Sequence, residues 1–156
     1  MKIRNLLAGL VIIPALLLSA CGTEAEPAKE PAPSEITSAI MAEIEIPSAV
    51  EKDMDSVGAY YDVDTAQTEA LSVYICGSGA YPDELAVFKM NSPEQAKSAA
   101  EAVQKRLDSQ IELYRDYTPN EMYKLDGAEV TVKGSYVMLF VCSDDQKARE
   151  IAENLF

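Results

Sequence analysis

Histidine is absent from all 156 residues, and so is tryptophan. Without histidine the chain lacks the usual neutral-pH base, the Ser-His and Cys-His nucleophile pairs, and the commonest metal ligand. A zinc site would have to combine cysteines with carboxylates, and Cys76 and Cys142 have no C-x-x-C spacing. No metal and no cofactor is therefore expected. Basic residues are scarce as well: 13 Lys and Arg stand against 26 Asp and Glu, a formal charge of −13. Affinity for phosphates comes from Lys and Arg, so binding to nucleic acid or to the surface of anionic lipid is disfavoured. The acidic excess reads as solubility and a solvated face. No apolar run reaches the roughly 20 residues needed to cross a bilayer.

The longest apolar run, Leu6 to Leu17, follows Lys2 and Arg4 and ends in Leu18-Ser19-Ala20-Cys21. A basic start, a short apolar stretch weakened by Gly9 and Pro14, and small residues before a cysteine have the form of a bacterial lipobox. Residues 1–20 are thus expected to be a lipoprotein signal peptide. Cleavage would fall between Ala20 and Cys21, with Cys21 carrying a diacylglycerol anchor. Removing 1–20 leaves 11 basic and 26 acidic side chains, a formal charge of −15. Residues 21–33, rich in Pro, Ala and Glu, read as a disordered tether. In polyproline II geometry, at about 3.1 Å per residue, it would span at most roughly 40 Å. Residues 34–156 are long enough for one globular domain and too short for two. With Cys21 acylated, Cys76 and Cys142 are left either as a disulfide, worth about 4 kcal/mol by chain entropy, or as two buried thiols.

Ile36, Ile40, Ile44 and Ile46 predict a short helix running into an extended piece that ends at Pro47, and Val50, Met54, Val57 and Tyr61 predict a second over about 49–60. Residues 69–76 and 84–90 read as strands around the loop 77–83. Ser92-Pro93-Glu94-Gln95 opens a long helix with its apolar stripe at Ala96, Ala100, Val103, Leu107, Ile111 and Tyr114. A short helix follows Thr118-Pro119, then strands 128–133 and 135–142, then a final helix capped near Ser143-Asp144. Two strand-strand-helix units predict an α+β fold: a four-stranded antiparallel sheet with helices on one face, plus short N-terminal helices. Strand 135–142 is apolar on both sides and needs cover on both. The side bearing Tyr136, Met138, Phe140 and Cys142 is expected to lie under residues 36–57 or else to remain open as a binding groove.

Other motifs carry less. Asp62-Val63-Asp64 starts like a calcium loop, but Ala66, Gln67 and Val73 occupy later positions the loop requires, which favours a turn or cap. Gly77-Ser78-Gly79 is a permissive hairpin loop with Tyr81 at its tip. Asp83 and Glu84 are adjacent carboxylates, whereas sugar hydrolysis needs a pair across a cleft, so no enzyme is expected.

The segment Asp83 to Lys89, Arg106-Leu107 with Gln110, Tyr117 with Pro119 and Glu121, and Val132-Lys133-Gly134-Ser135-Tyr136-Val137 together resemble a family of clostridial-type lipoproteins of Firmicutes, a domain of unknown function. The resemblance covers about residues 36–155. It implies a small exported lipoprotein on the outer face of the cell membrane, and no activity, substrate or site residue. The expectation is a non-enzymatic module, in contact with the membrane through its lipid alone. It would bind another cell-envelope protein or peptide by the sheet face of Tyr136, Met138 and Phe140 or by the Tyr81 loop. The alternative is capture of a small molecule or peptide for a transporter.

Overall fold

A computed structural model of the chain describes residues 30–156. The expected leader, Cys21 and residues 22–29 of the tether lie outside the described residues. The end of the tether does not follow expectation. Pro31 is buried, its carbonyl accepts a hydrogen bond from the Tyr136 hydroxyl (2.9 Å), and Glu30 meets Lys89 at 3.1 Å. The ordered domain therefore begins before residue 34.

Among the described residues five strands form one antiparallel sheet: β1 (Ala49–Lys52), β2 (Thr68–Cys76), β3 (Glu84–Met90), β4 (Val130–Lys133) and β5 (Tyr136–Val141). Their order is β1-β2-β3-β5-β4, so β1 and β4 are the edges. The described residues also form four helices: α1 (Pro33–Met41), α2 (Pro93–Tyr117), α3 (Met122–Asp126) and α4 (Asp145–Glu153). The α+β reading stands, but β1 replaces the second N-terminal helix and makes the sheet five-stranded. The helical spacing of Val50, Met54, Val57 and Tyr61 is coincidental, since Val57 and Tyr61 are buried while Val50 is exposed. Val50 pairs with Ile75 on β2. Beyond the strand the chain turns on Asp53, whose carboxylate accepts from the Ser56 backbone N–H (2.9 Å).

The helices cover both faces of the sheet, not one. β3 and β5 are apolar on either side, and each side requires its own cover. On one face Val73, Phe88, Val137 and Leu139 pack beneath Val103 and Leu107 of α2, Leu125 of α3, and Val57 and Tyr61. On the other, Leu85, Val87, Tyr136, Met138 and Phe140 lie beneath Ile36 and Ile40 of α1, Ile44, Ile46, and Ala148 and Ala152 of α4. A buried hydroxyl pair, Thr37 Oγ to Ser72 Oγ at 2.7 Å, ties α1 to β2. The N-terminal residues up to Ile46 thus cover the aromatic face, with α4 as a second contributor.

Cys76 and Cys142 are both buried and free. Cys76 N donates to Asp83 O, and the β3–β5 register, in which Glu84 faces Val141, sets Cys142 on the other side of Asp83. The two cysteines are two strand spacings apart, about 10 Å, beyond the reach of a disulfide. That removes the disulfide reading.

Replacing Tyr136 by Phe deletes one buried hydrogen bond and leaves the Pro31 carbonyl unpaired. A loss of about 1 kcal/mol is expected in urea unfolding, with faster backbone hydrogen exchange in the first turn of α1.

Candidate functional site

Where β2 and β3 meet the 77–83 loop, the sheet buries two consecutive carboxylates. Asp83 and Glu84 are each 1% exposed. Glu84 is the first residue of β3 and points with Ala86 and Phe88 towards α2, so its charge enters an apolar layer. Burial at that depth is tolerable only with a paired, hydrogen-bonded counter-charge. Arg106 supplies it from the middle of α2: Nη2 lies 2.6 Å and Nε 3.1 Å from Glu84 Oε2. The Tyr61 hydroxyl donates to Glu84 Oε1. Gln110, one turn along α2, turns its amide oxygen to Nη1 and Nη2 of Arg106 at 2.6 and 3.0 Å. Arg106 also lies within 6 Å of the rings of Tyr60 and Tyr61.

Asp83 has its own cation. Lys124 Nζ on α3 lies 2.6 Å from Asp83 Oδ2 and 2.9 Å from Glu121. Asp83 Oδ1 is buried without a partner. The two carboxylates are therefore neutralised separately and do not face each other across a cleft.

Tyr81 stands 42% exposed at the loop tip, its ring 5.2 Å from Lys124 Nζ. Tyr123 flanks the same ammonium at 5.8 Å and is 58% exposed. The loop is held to α2 by the Tyr114 hydroxyl, which donates to the carbonyls of Gly79 (3.0 Å) and Tyr81 (2.8 Å). Leu113 and Tyr117, four residues apart near the end of α2, are also exposed. By contrast, Tyr136, Met138 and Phe140 are buried under α1 and α4. The isoleucines of the N-terminal segment and the alanines of α4 cover this face, so it is not an open groove; Met138 and Phe140 reach only a cavity of about 190 Å³ between Thr131 and α4.

Electrostatics fix the charge states of this cluster. Burial, reinforced by the Glu84 charge, holds the Tyr61 phenol well above its usual range, so it stays a donor. The neighbouring carboxylates raise Lys124 and Arg106 despite burial, and both stay cationic. Burial raises Asp83, with Lys124 opposing. Nearby, burial pushes the Cys142 thiol up to about 11.

Asp64 caps the 3-10 turn Thr65–Gln67 by accepting from Ala66 N, as a turn reading of Asp62-Val63-Asp64 requires. Asp62, Asp64, Gln67, Gln95 and Ser98 line a cavity of about 250 Å³. Among the described residues no group of three or more His, Cys, Asp or Glu is placed to hold a metal ion. No helix among them is long and apolar enough to cross a membrane. Sequence reasoning missed the ion pairs, although a signal was present: Arg106 and Gln110 lie on the same face of α2 as Val103, Leu107 and Tyr114.

Residues 42–142 match the family model described as Domain of unknown function (DUF4358), and the chain belongs to that family. The match spans Asp83, Glu84, Arg106, Gln110, Glu121 and Lys124. No curated protein and no solved structure matches the chain.

Two expectations follow. Glu84→Gln and Arg106→Met should each cost about 3–5 kcal/mol in urea unfolding, whereas Glu84→Leu with Arg106→Met should lose less than either alone, because no buried charge is left unpaired. Cys142 keeps its proton in the fold above pH 9, where the unfolded chain releases it, so stability falls as pH rises from 9 towards 11. Cys142→Ala should flatten that fall in melting temperature by the equivalent of roughly 2–3 kcal/mol.

Proposed function

We propose that this member of the family is an exported lipoprotein, anchored through Cys21 to the outer face of the cell membrane, and that it is a non-enzymatic module binding another cell-envelope component. The surface assigned to that partner is the tyrosine end of the domain, Tyr81 and Tyr123 around Lys124; Leu113 and Tyr117 are exposed on the last turns of α2. The observation that carries this reading is the position of that end relative to residue 30. Glu30 and Pro31 are held at Lys89 and Tyr136, next to the β4–β5 turn. The Tyr81 loop leaves the opposite end of β3, about 17 Å of strand away. A domain tethered by its N-terminus would therefore present the tyrosines away from the membrane.

The character of the surface supports a protein or peptide partner. Tyrosine offers a rigid ring and a hydroxyl at low cost in conformational entropy, and aromatic anchors dominate binding energy at protein interfaces. The loop is also preorganised, since Tyr114 pins its backbone and Lys124 sits between the two rings. Clostridial-type Firmicutes origin, implied by the motif resemblance, would place the partner at a cell envelope without an outer membrane. Capture of a small molecule or peptide for a transporter is the second reading. It is favoured by the polar cavity lined by Asp62, Asp64 and Gln95, whose Gln95 Oε1 is buried and unpartnered.

Cys21→Ala should abolish acylation and processing at Ala20-Cys21. An unchanged, membrane-bound product would sink the anchor. A photo-cross-linking residue at Tyr81 or Tyr123 in intact cells should capture one dominant envelope protein that a probe at Glu150 does not. Equal capture from both positions would refute the tyrosine surface. Release of muropeptides by the purified protein would refute the non-enzyme reading.

A further inference from the structure

Among the described residues the edge strand β4 has no partner on its outer side, and its sequence is self-complementary. Residues 129–133 read Glu-Val-Thr-Val-Lys. Turned antiparallel on itself about Thr131, this segment sets Glu129 opposite Lys133, Val130 opposite Val132, and Thr131 opposite Thr131. Opposite charges, β-branched pairs and a Thr–Thr pair are all favourable cross-strand neighbours.

The backbone fits the same register. β4 and β5 are joined by the two-residue turn Gly134-Ser135, with Lys133 facing Tyr136. Gly134 has φ +57°, and Ser135 is not among the non-glycine residues of positive φ, the pattern of a type II′ hairpin. The pair closing such a turn is hydrogen-bonded, and pair types alternate along an antiparallel ladder. Lys133 and Thr131 therefore spend their N–H and C=O groups on β5, while those of Val130 and Val132 point outward. These are the groups that the Thr131-centred register brings together. Val130 and Val132 of one copy would exchange hydrogen bonds with Val132 and Val130 of the other, with the two Thr131 residues in the close, non-hydrogen-bonded pair on the axis.

The surroundings leave the edge accessible. Val132 is 43% exposed, and β4 carries neither proline nor bulge to protect it. A cavity of about 380 Å³ between α2 and Val130 runs along one side, and one of about 190 Å³ between α4 and Thr131 along the other. Glu129 already lies 3.3 Å from Arg149, and Lys133 2.6 Å from Glu153. Pairing would extend these into an alternating row, Arg149–Glu129–Lys133–Glu153, across the two copies.

We propose that β4 binds β4 of a second copy of this chain, forming a two-fold dimer with one continuous ten-stranded sheet. The inference rests on neither the lipid anchor nor the tyrosine surface. The symmetry is that of an isologous dimer, in which one patch faces itself.

The test uses the full chain in mild detergent. Sedimentation over about a hundredfold range of concentration should show reversible dimers. Thr131→Cys should form a disulfide-linked dimer on mild oxidation, since a non-hydrogen-bonded antiparallel pair brings Cα atoms within disulfide range. Lys97→Cys, on exposed α2 surface, should link no more than the parent chain. Glu129→Lys should weaken the dimer about tenfold, because both symmetric pairs become like-charged. Adding Lys133→Glu should restore it. A monomer at every concentration, Thr131→Cys that links no faster than Lys97→Cys, or a double swap as weak as the single variant would overturn the proposal. The edge would then fall to residues 1–29 of this chain or to an extended peptide of another protein.

Discussion

The Glu84–Arg106 ion pair sets the geometry around it. A carboxylate at the first position of a strand buried on both faces admits few arrangements, because both its oxygens need donors in an apolar layer. Satisfying it fixes the rotation of α2, which must aim Arg106 at the sheet, and the position of Tyr61, which must reach the second oxygen. Gln110 then orients the guanidinium from one turn away. With α2 fixed, Tyr114 falls over the 77–83 loop and holds its backbone. A charge in the core thus orders a surface loop two contacts away.

The remainder is a three-layer arrangement in which one antiparallel sheet serves two cores. α2 and α3 close one side, α1 and α4 the other. β3 and β5 gain from both, which is why every residue of β5 is buried. Among the described residues β1 and β4 have one strand neighbour each and expose Val50 and Val132. Burial is therefore densest in β3 and β5, and the exposed surface lies at the edges and at the loop end.

What could be read from the chain alone divides on physical grounds. α2 was legible because Ser92 is a strong cap, donated to by Gln95 N at 3.3 Å, and because its stripe repeats over many turns. β2, β3, β4 and β5 were legible from alternation or from dense apolar runs. β1 was not: four residues with three exposed side chains carry no periodic signal, and only pairing with β2 makes them a strand. The covering of both faces was half legible, since β5 announced its need for it while the small inner face of α4, Ala148 and Ala152, did not say which side it would take. Of the tyrosine end, Tyr81 could be placed on a loop tip. Its proximity to Lys124 and Tyr123 depends on α3 folding back against the sheet, a long-range contact without a local pattern. The buried ion pairs were hidden for a related reason: a charge in a sequence reads as solvent-exposed until its partner is located.

Residues 30 and 31 have a mechanical consequence. They are fastened beside the β4–β5 turn, at the end of β5, rather than at a free corner of the domain. Tension on the chain before residue 30 is therefore borne first by Glu30–Lys89 and Tyr136–Pro31, and next by α1. Those contacts lie on the α1 side of the sheet, and peeling α1 away would uncover Leu85, Val87 and Met138 while leaving the α2 core intact. Under load the domain would come apart in a set order, with the layer nearest the pulled end yielding before the layer that holds the tyrosines.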